Sequence, residues 1–442
     1  MSRHPKRATV SLFLSALFLV VYPFCNWITS LRPRVASFHF DWERHIPFVP
    51  LFIIPYMSLD LFFIAAPFLT RTDRELRTLA RRIAAAILIA GACFLLFPLR
   101  MSTPRPPVEG ILGAIFNPFR SLDLPFNQCP CLHIALAAIL LPVYFRHTRK
   151  WLRCLIVIWF GAIALSPLLT YQHHAIDILG GLALAVVCFH FFADEPLRQP
   201  FVPNHRAGFY YLAGALACGP IAWFGRPWLL PLAWAVGSLA IMSAAYFAIG
   251  PGVFRKRAGR VPWTSWCLLA PVLLGHRLSL AYYARRCAAY DRLTDKAWIG
   301  RRMTTAEARR ACEAGVSAVL DLTAEFSEPI PFRNAIYLQL SILDLTAPTL
   351  VQMDAAVSFI ERHAATGVVY VHCKIGFSRT AAIAGAWLLA TGRAASADAA
   401  IAELRKARTG MIIRPEAINA LEAYSKGDTP FRPTPPMIPH AV

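Results

Sequence analysis

Eight apolar runs, at roughly residues 8–31, 48–70, 83–99, 131–145, 154–170, 175–192, 207–225 and 227–250, leave little room for a water-soluble fold in the first 250 residues. A helix needs about 20 apolar residues to cross a bilayer. Several runs reach that length, so residues 1–250 are predicted to form a polytopic all-α membrane domain of about eight helices. The first run follows Arg3, Lys6 and Arg7 and has no small-residue cleavage site after it, which predicts a retained helix rather than a removed signal peptide.

Basic clusters separate the runs. Arg71, Arg74, Arg77, Arg81 and Arg82 follow the second, Arg146, Arg149, Lys150 and Arg153 the fourth, and Arg255, Lys256, Arg257 and Arg260 the eighth. All fall on the N-terminal side of the membrane, against Arg32, Arg34 and Arg44 opposite, and the positive-inside rule makes that side cytoplasmic. The net charge of +20 therefore reads as an orientation signal on an inner (plasma) membrane protein, and no nucleic-acid partner is expected. The eleven cysteines sit mostly inside apolar runs and form no disulfide framework or metal spacing, so no metal or other cofactor is expected. Val261–Ala284, with Trp263 and Trp266 at one end and Arg277 inside, suits an interfacial linker helix within 251–289 better than a ninth span.

This topology brings the loops 100–130 and 171–176 to the outer face, and they carry polar chemistry. "RMSTPRPP" supplies Arg100 and Arg105, "NQCPCLHIA" ends in His133 at a helix mouth, and "SPLLTYQHHAID" offers His173 and Asp177 four residues apart, on one helical face. A carboxylate that orients a histidine makes it a better base or nucleophile. A second histidine can protonate a leaving oxygen, and arginines can hold a phosphate.

Over roughly residues 45 to 195 these features resemble the type 2 phosphatidic acid phosphatase (PAP2) superfamily. Arg105-Pro106, Pro130-Cys131-Leu132-His133 and Ser166-Pro167 with His173 and Asp177 stand at the family's motif positions. The resemblance implies His173 as nucleophile, oriented by Asp177, with His133 as general acid and Arg100 and Arg105 on the phosphate. Pro98, Cys131 and Pro167 replace family residues that hold the phosphate. Three roles stay open for this domain: lipid phosphatase, lipid headgroup phosphotransferase, or degenerate lipid-binding anchor.

After about residue 290 the apolar runs shorten to strand length and charge rises. "GVSAVLDLTAE" (315–325), "AIYLQLSILD" (335–344) and "VVYVHC" (368–373) read as strands. Helices are predicted over 348–367, from Ser378 onward, and in "SADAAIAELRKART" and "RPEAINALEAYSKG". Strands alternating with helices predict a compact α/β domain over 290–427. The proline-rich residues 428–442 are predicted to be a disordered tail.

The stretch "VVYVHCKIGFSRTAAIAG" carries the chemistry. A strand ending at Cys373, bending through Gly376 and entering a helix at Ser378-Arg379 aims the amides of Lys374, Ile375, Gly376, Phe377 and Ser378 at one point, where a phosphate can bind. The same field favours a thiolate at Cys373. Arg379 can chelate two phosphate oxygens, Thr380 can hydrogen-bond the departing thiolate, and Asp344, at the end of the preceding strand, can serve as general acid. Asp321 is the rival acid.

Cysteine, five residues and arginine, with His372 before and Thr380 after, resembles the signature of cysteine-dependent tyrosine and dual-specificity phosphatases, and residues 290 to 427 resemble the dual-specificity branch throughout. The resemblance implies Cys373 as nucleophile, Arg379 as phosphate binder and Asp344 as acid. Lys374 resembles the residue at that place in members acting on phosphoinositides or phosphatidylglycerophosphate. The chain order resembles bacterial fusions of these two domains. Membrane lipids, and a phosphorylated lipid or phosphoprotein substrate, are the expected partners.

Overall fold

The computed structural model describes residues 4–193, 199–224 and 230–427. The chain divides into two compact units, Met1–Glu195 and Pro196–Val442. The proline-rich tail predicted to be disordered lies outside the described residues.

The first unit is helical: α1 (His4–Ser30), α2 (Ile53–Leu69), α3 (Asp73–Leu96), α4 (Gly110–Leu122), α5 (Leu132–His147), α6 (Arg153–Leu169) and α7 (Ala175–Phe191). Leu14, Phe63, Ile83, Ile87, Phe94 and Leu140 fill its centre, while large apolar side chains also cover its outside: Leu19 is 66% exposed, Leu61 71% and Ile158 68%. Helices apolar on the inner and the outer face alike have the pattern of membrane-associated helices. Two details differ from the sequence reading. Thr72 caps α3 by accepting from the amide of Glu75 at 3.1 Å, so Arg74, Arg77, Arg81 and Arg82, read as separating the second and third apolar runs, lie in the first turns of α3 itself. The expected 100–130 loop contains α4, which buries Phe116 against Ile53 and Tyr56 of α2. A short amphipathic helix of this kind presents no long apolar run to detect.

The second unit begins with α8 (His205–Phe224), α9 (Leu230–Ala244, continued by irregular helical turns to Phe254) and α10 (Trp263–Ala284). Six helices among the described residues are long and apolar enough to cross a membrane: the segments Pro5–Ser30, Pro50–Leu69, Asp73–Leu96, Lys150–Leu169, Pro231–Phe254 and Trp263–Ala284; α5 and α7 are apolar but shorter. One face of α10 packs through Leu269, Val272 and Leu273 against Met242, Tyr246 and Phe254 and onto Ala324 and Leu343 of the α/β domain. Its other face leaves Trp263, Leu274, Leu278 and Tyr282 exposed.

The α/β domain holds a five-stranded sheet of β1 (Tyr290–Arg292), β2 (Ala297–Arg301), β3 (Val316–Thr323), β4 (Ile336–Ile342) and β5 (Val368–Cys373), in the order β1-β2-β5-β3-β4. β1 runs antiparallel to β2, and the other pairs are parallel. The central β5 is covered on both faces, which is why it reads as a continuous β-branched run. Helices α13 (Leu350–Ala364), α14 (Ser378–Ala390), α15 (Ala397–Ala407) and α16 (Pro415–Ser425) bury one face around Trp387, Ile383 and Leu404. Helices α11 (Thr305–Glu313) and α12 (Ile330–Arg333) cover the other, around Phe332, Tyr370 and Trp298. β1, β2 and α11 were not anticipated. The parallel strands end together, so Thr323, Ile342 and Cys373 deliver their following loops to one edge, the usual place for a site in such sheets.

Candidate active site

Cys373 is the last residue of β5 and is 3% exposed. The chain after it turns through Gly376 at φ +78°, where a side chain would also overlap the backbone of Gly300. Only glycine satisfies both conditions. That turn points the Gly376 amide back at the Cys373 sulfur, 3.3 Å away. Helix α14 then starts at Ser378, setting its free N–H groups on the same side. Ser378 Oγ donates to the carbonyl of Ile412 and accepts from the amide of Arg414, tying the loop to the neighbouring turn. Arg408 donates to the carbonyl of Ile375 at 3.1 Å and pairs with Asp291, bracing the loop from behind.

Arg379, 2% exposed, crosses under the loop. Both its terminal nitrogens bind Glu325, at 2.8 and 3.1 Å; one also donates to the carbonyl of Ile342 and the other to Asp344 Oδ1 at 3.1 Å. This bidentate grip fixes the guanidinium plane. Glu325, just past the end of β3, was read only as a strand residue; nothing local marks it as a partner of an arginine 54 positions on. Thr380 Oγ1 is buried and has no hydrogen-bond partner among the described residues.

Asp344 lies at the same pocket. Its second oxygen pairs with Lys374 Nζ, and His276 Nδ1 of α10 is 3.9 Å away. Burial alone would push the pKa of such a carboxyl up, but Arg379 and Lys374 outweigh it and hold Asp344 well below the usual carboxylate range. The pocket, about 190 Å³, is lined by Cys373, Lys374, Arg379 and Asp344 together with Ser279 and Tyr283 of α10. Phe377 packs edge-on to Tyr283. The contribution of α10 was invisible in the sequence, where it read as a linker.

Asp321 stands elsewhere, fully buried and bonded to Lys256, Tyr337 and Thr323. Beside it, His372 Nε2 faces Glu328 Oε1 at 3.4 Å. Burial pushes His372 down to about 4 and, with the charge of Asp321, pushes Glu328 well above the carboxylate range. Both shifts favour the uncharged forms.

In the first unit, the 129–133 loop docks on α7, where a side chain at Gly181 would overlap the carbonyl of Cys131. The Cys131 amide donates to the carbonyl of Asp177 at 2.9 Å. His173 Nδ1 and Asp177 Oδ2 are 3.6 Å apart, and the same carboxylate accepts the His174 amide at 2.8 Å. His133 stacks on Tyr56, ring centres 4.2 Å apart, with Nε2 buried and unpartnered among the described residues. Arg105 donates to the carbonyl of Tyr171, two residues from His173, whereas the Arg100 side chain is exposed. His174, the neighbour of His173, is nearly fully buried between Glu43 Oε2 at 2.8 Å and Ser102 Oγ at 3.1 Å.

A buried cysteine closing a central parallel strand, an amide turned onto its sulfur and a carboxylate-clamped arginine define a cysteine-based phosphatase domain. Residues 298–426 match the dual specificity phosphatase catalytic domain, and this part of the chain is such a domain. The chain is similar to phosphatidylglycerophosphatase and protein-tyrosine phosphatase 1 of Mus musculus, 37% identical over 91 residues, which cover 20% of this chain and 47% of that protein. The Homo sapiens protein of the same name is 35% identical over 91 residues, covering 20% and 45%. The chain thus spans about half the length of the curated relatives it matches. The crystal structure of PTPMT1 aligns at 28% identity and a TM-score of 0.29, over 31% of this chain and 94% of that one.

Proposed function

We propose that the protein is a membrane-bound phosphomonoester hydrolase acting through Cys373. The Cys373 sulfur attacks phosphorus in line as the phosphorus–oxygen ester bond breaks, and the leaving oxygen takes a proton from Asp344. Water then attacks the phosphocysteine, the sulfur–phosphorus bond breaks, and inorganic phosphate leaves. Arg379 and the amides of residues 374–378 hold the phosphoryl oxygens. Phosphate arriving on Arg379 competes with Asp344 for the guanidinium, and a carboxyl relieved of that partner gains proton affinity, as a general acid requires. Thr380 stabilises the departing thiolate. The observation that carries the reading is the Gly376 amide on the Cys373 sulfur beside the Glu325-held Arg379.

A second reading adds a histidine site in the first unit, of the type 2 phosphatidic acid phosphatase kind, with His173 as nucleophile, Asp177 orienting it, His133 as acid, and Arg105 and Arg100 toward the phosphate. The close approach of His173 and Asp177 favours it. On the charge pattern the α/β domain faces the cytoplasm and the protein resides in the plasma membrane.

Cys373→Ser and His173→Ala proteins, purified in detergent and assayed on p-nitrophenyl phosphate, a phosphotyrosine peptide and phosphatidic acid, test both readings. Cys373→Ser is expected to abolish p-nitrophenyl phosphate and peptide turnover; retained turnover overturns the first reading. Lipid turnover unchanged by His173→Ala overturns the second.

A further inference from the structure

A cavity of about 490 Å³ meets the catalytic pocket at Asp344 and Lys374, and nothing in the cysteine chemistry uses it. Its walls come from the helices ahead of the α/β domain: Tyr211 of α8, Ala235 and Leu239 of α9, and Pro271, Val272 and Gly275 of α10. Its inner end is charged, with Lys374 Nζ 3.5 Å from His276 Nδ1 and paired with Asp344. The space beside Gly275 is open, since a side chain there would meet nothing within 4 Å. The volume falls within the range of about 300–1,000 Å³ typical of ligand sites.

The cavity is therefore amphipathic along its length, apolar between α9 and α10 and polar, lined by His276 and the Lys374–Asp344 ion pair, where it joins the pocket holding Cys373 and Arg379. A phosphotyrosine side chain would occupy the 190 Å³ pocket and leave this space unused. A phosphate joined to a hydrocarbon chain fills both. We propose that the substrate is a lipid phosphomonoester whose phosphate sits on Arg379 and whose acyl chain lies between α9 and α10. This rests on the cysteine reading above and deepens it. Each methylene transferred from water into such a groove favours binding by up to about fourfold, so a few buried methylenes separate lipid from soluble esters by orders of magnitude. His276 and Lys374, at the junction, face the linker oxygens between phosphate and chain.

Gly275→Leu is the direct test, because leucine is a better helix former than glycine and its side chain projects into the open space. For wild-type and variant protein, each in a His173→Ala background and in the same detergent, kcat/KM is measured on dihexanoyl and dibutanoyl phosphatidate below their micellar concentrations and on p-nitrophenyl phosphate. The dihexanoyl to p-nitrophenyl ratio is expected to fall at least about tenfold, the equivalent of two buried methylenes lost. A ratio unchanged in the variant, or wild-type rates indifferent to chain length, overturns the acyl-chain site while leaving the cysteine chemistry standing. Wild-type protein that hydrolyses no p-nitrophenyl phosphate, or a Cys373→Ser protein that still does, sinks the cysteine reading instead. Should Gly275→Leu not fold, the Cys373→Ser protein is photolabelled with a phosphatidate bearing a diazirine at its acyl terminus. Label within 230–244 and 263–284 supports the site, and label confined to other segments overturns it.

Discussion

The hydroxyl of Tyr246 donates a 2.8 Å hydrogen bond to the main-chain carbonyl of Asp344, joining the helical turns that follow α9 to the residue proposed as the acid. The next residue, Leu345, has φ +62°, a conformation unfavourable to leucine, and its carbonyl accepts from Asn204 at 2.6 Å, just before α8. Two side chains flanking the apolar helices, Asn204 ahead of α8 and Tyr246 after α9, thus hold a strained turn in place.

Tyr246→Phe removes one of those two holds and takes the hydroxyl partner from a half-buried carbonyl, a loss of about 0.5–1.5 kcal/mol. The expected outcome is a lower Tm together with a kcat on alkyl phosphates reduced about 10-fold, as for a misplaced acid, and a smaller loss on p-nitrophenyl phosphate. Parallel thermal melts and two-substrate kinetics check it; equal losses on both substrates would point to folding alone.

Asp344→Asn separates leaving groups. An alkoxide needs a proton as it departs, whereas p-nitrophenolate barely does. The variant is expected to lose about 10²–10⁴-fold in kcat on alkyl phosphates, the range for a general acid, and far less on p-nitrophenyl phosphate. A plot of log kcat against leaving-group pKa should steepen in the variant.

Glu325→Gln leaves Arg379 buried with its strongest partner neutralised. Breaking one side of a buried pair costs about 3–5 kcal/mol, so a clear fall in Tm is expected. Phosphate or vanadate, by restoring an anion on Arg379, should raise the Tm of the variant more than that of the wild type. Differential scanning fluorimetry with and without the anion reads this directly.

The His372–Glu328 pair gives a pH prediction. His372 titrates near 4 when folded and near 6.5 when unfolded, so on its own it removes stability as pH falls through that window. Glu328, with its folded value raised, holds a proton that the unfolded chain releases above about 4.5, so it adds stability as pH falls over the same window. The two slopes oppose each other in the wild type. Glu328→Gln keeps the size and polarity of the side chain but cannot titrate, leaving the slope of the histidine alone: stability should then fall by up to about 1.4 kcal/mol per pH unit between pH 6 and 5. Urea melts across that range check it, and a variant with the wild-type slope would contradict the opposed shifts.

Cys373, Gly376 and Arg379 were legible because their geometry is local: a strand, a turn and a helix start within seven residues. The apolar helices were legible from length alone. Glu325, Arg408 and His276 were not, because each acts on the loop from far along the chain, and a glutamate at a strand end or a histidine in an apolar helix has no spacing that betrays a partner. β2 was missed because "AWIGR" is too short to show alternation, although every one of its residues is buried. The surroundings of His174 were not legible either, because adjacency to His173 in sequence says nothing about Glu43 and Ser102 folding back onto it.

The packing of α10 along Ala324 and Leu343 has a practical consequence for anyone trimming the gene. An excised fragment starting at the first strand would keep its nucleophile and its arginine, yet it would expose a greasy scar where the helix had lain and would lose one wall of its pocket. Such a fragment should be sticky, and its appetite for substrates should be broader than that of the intact chain.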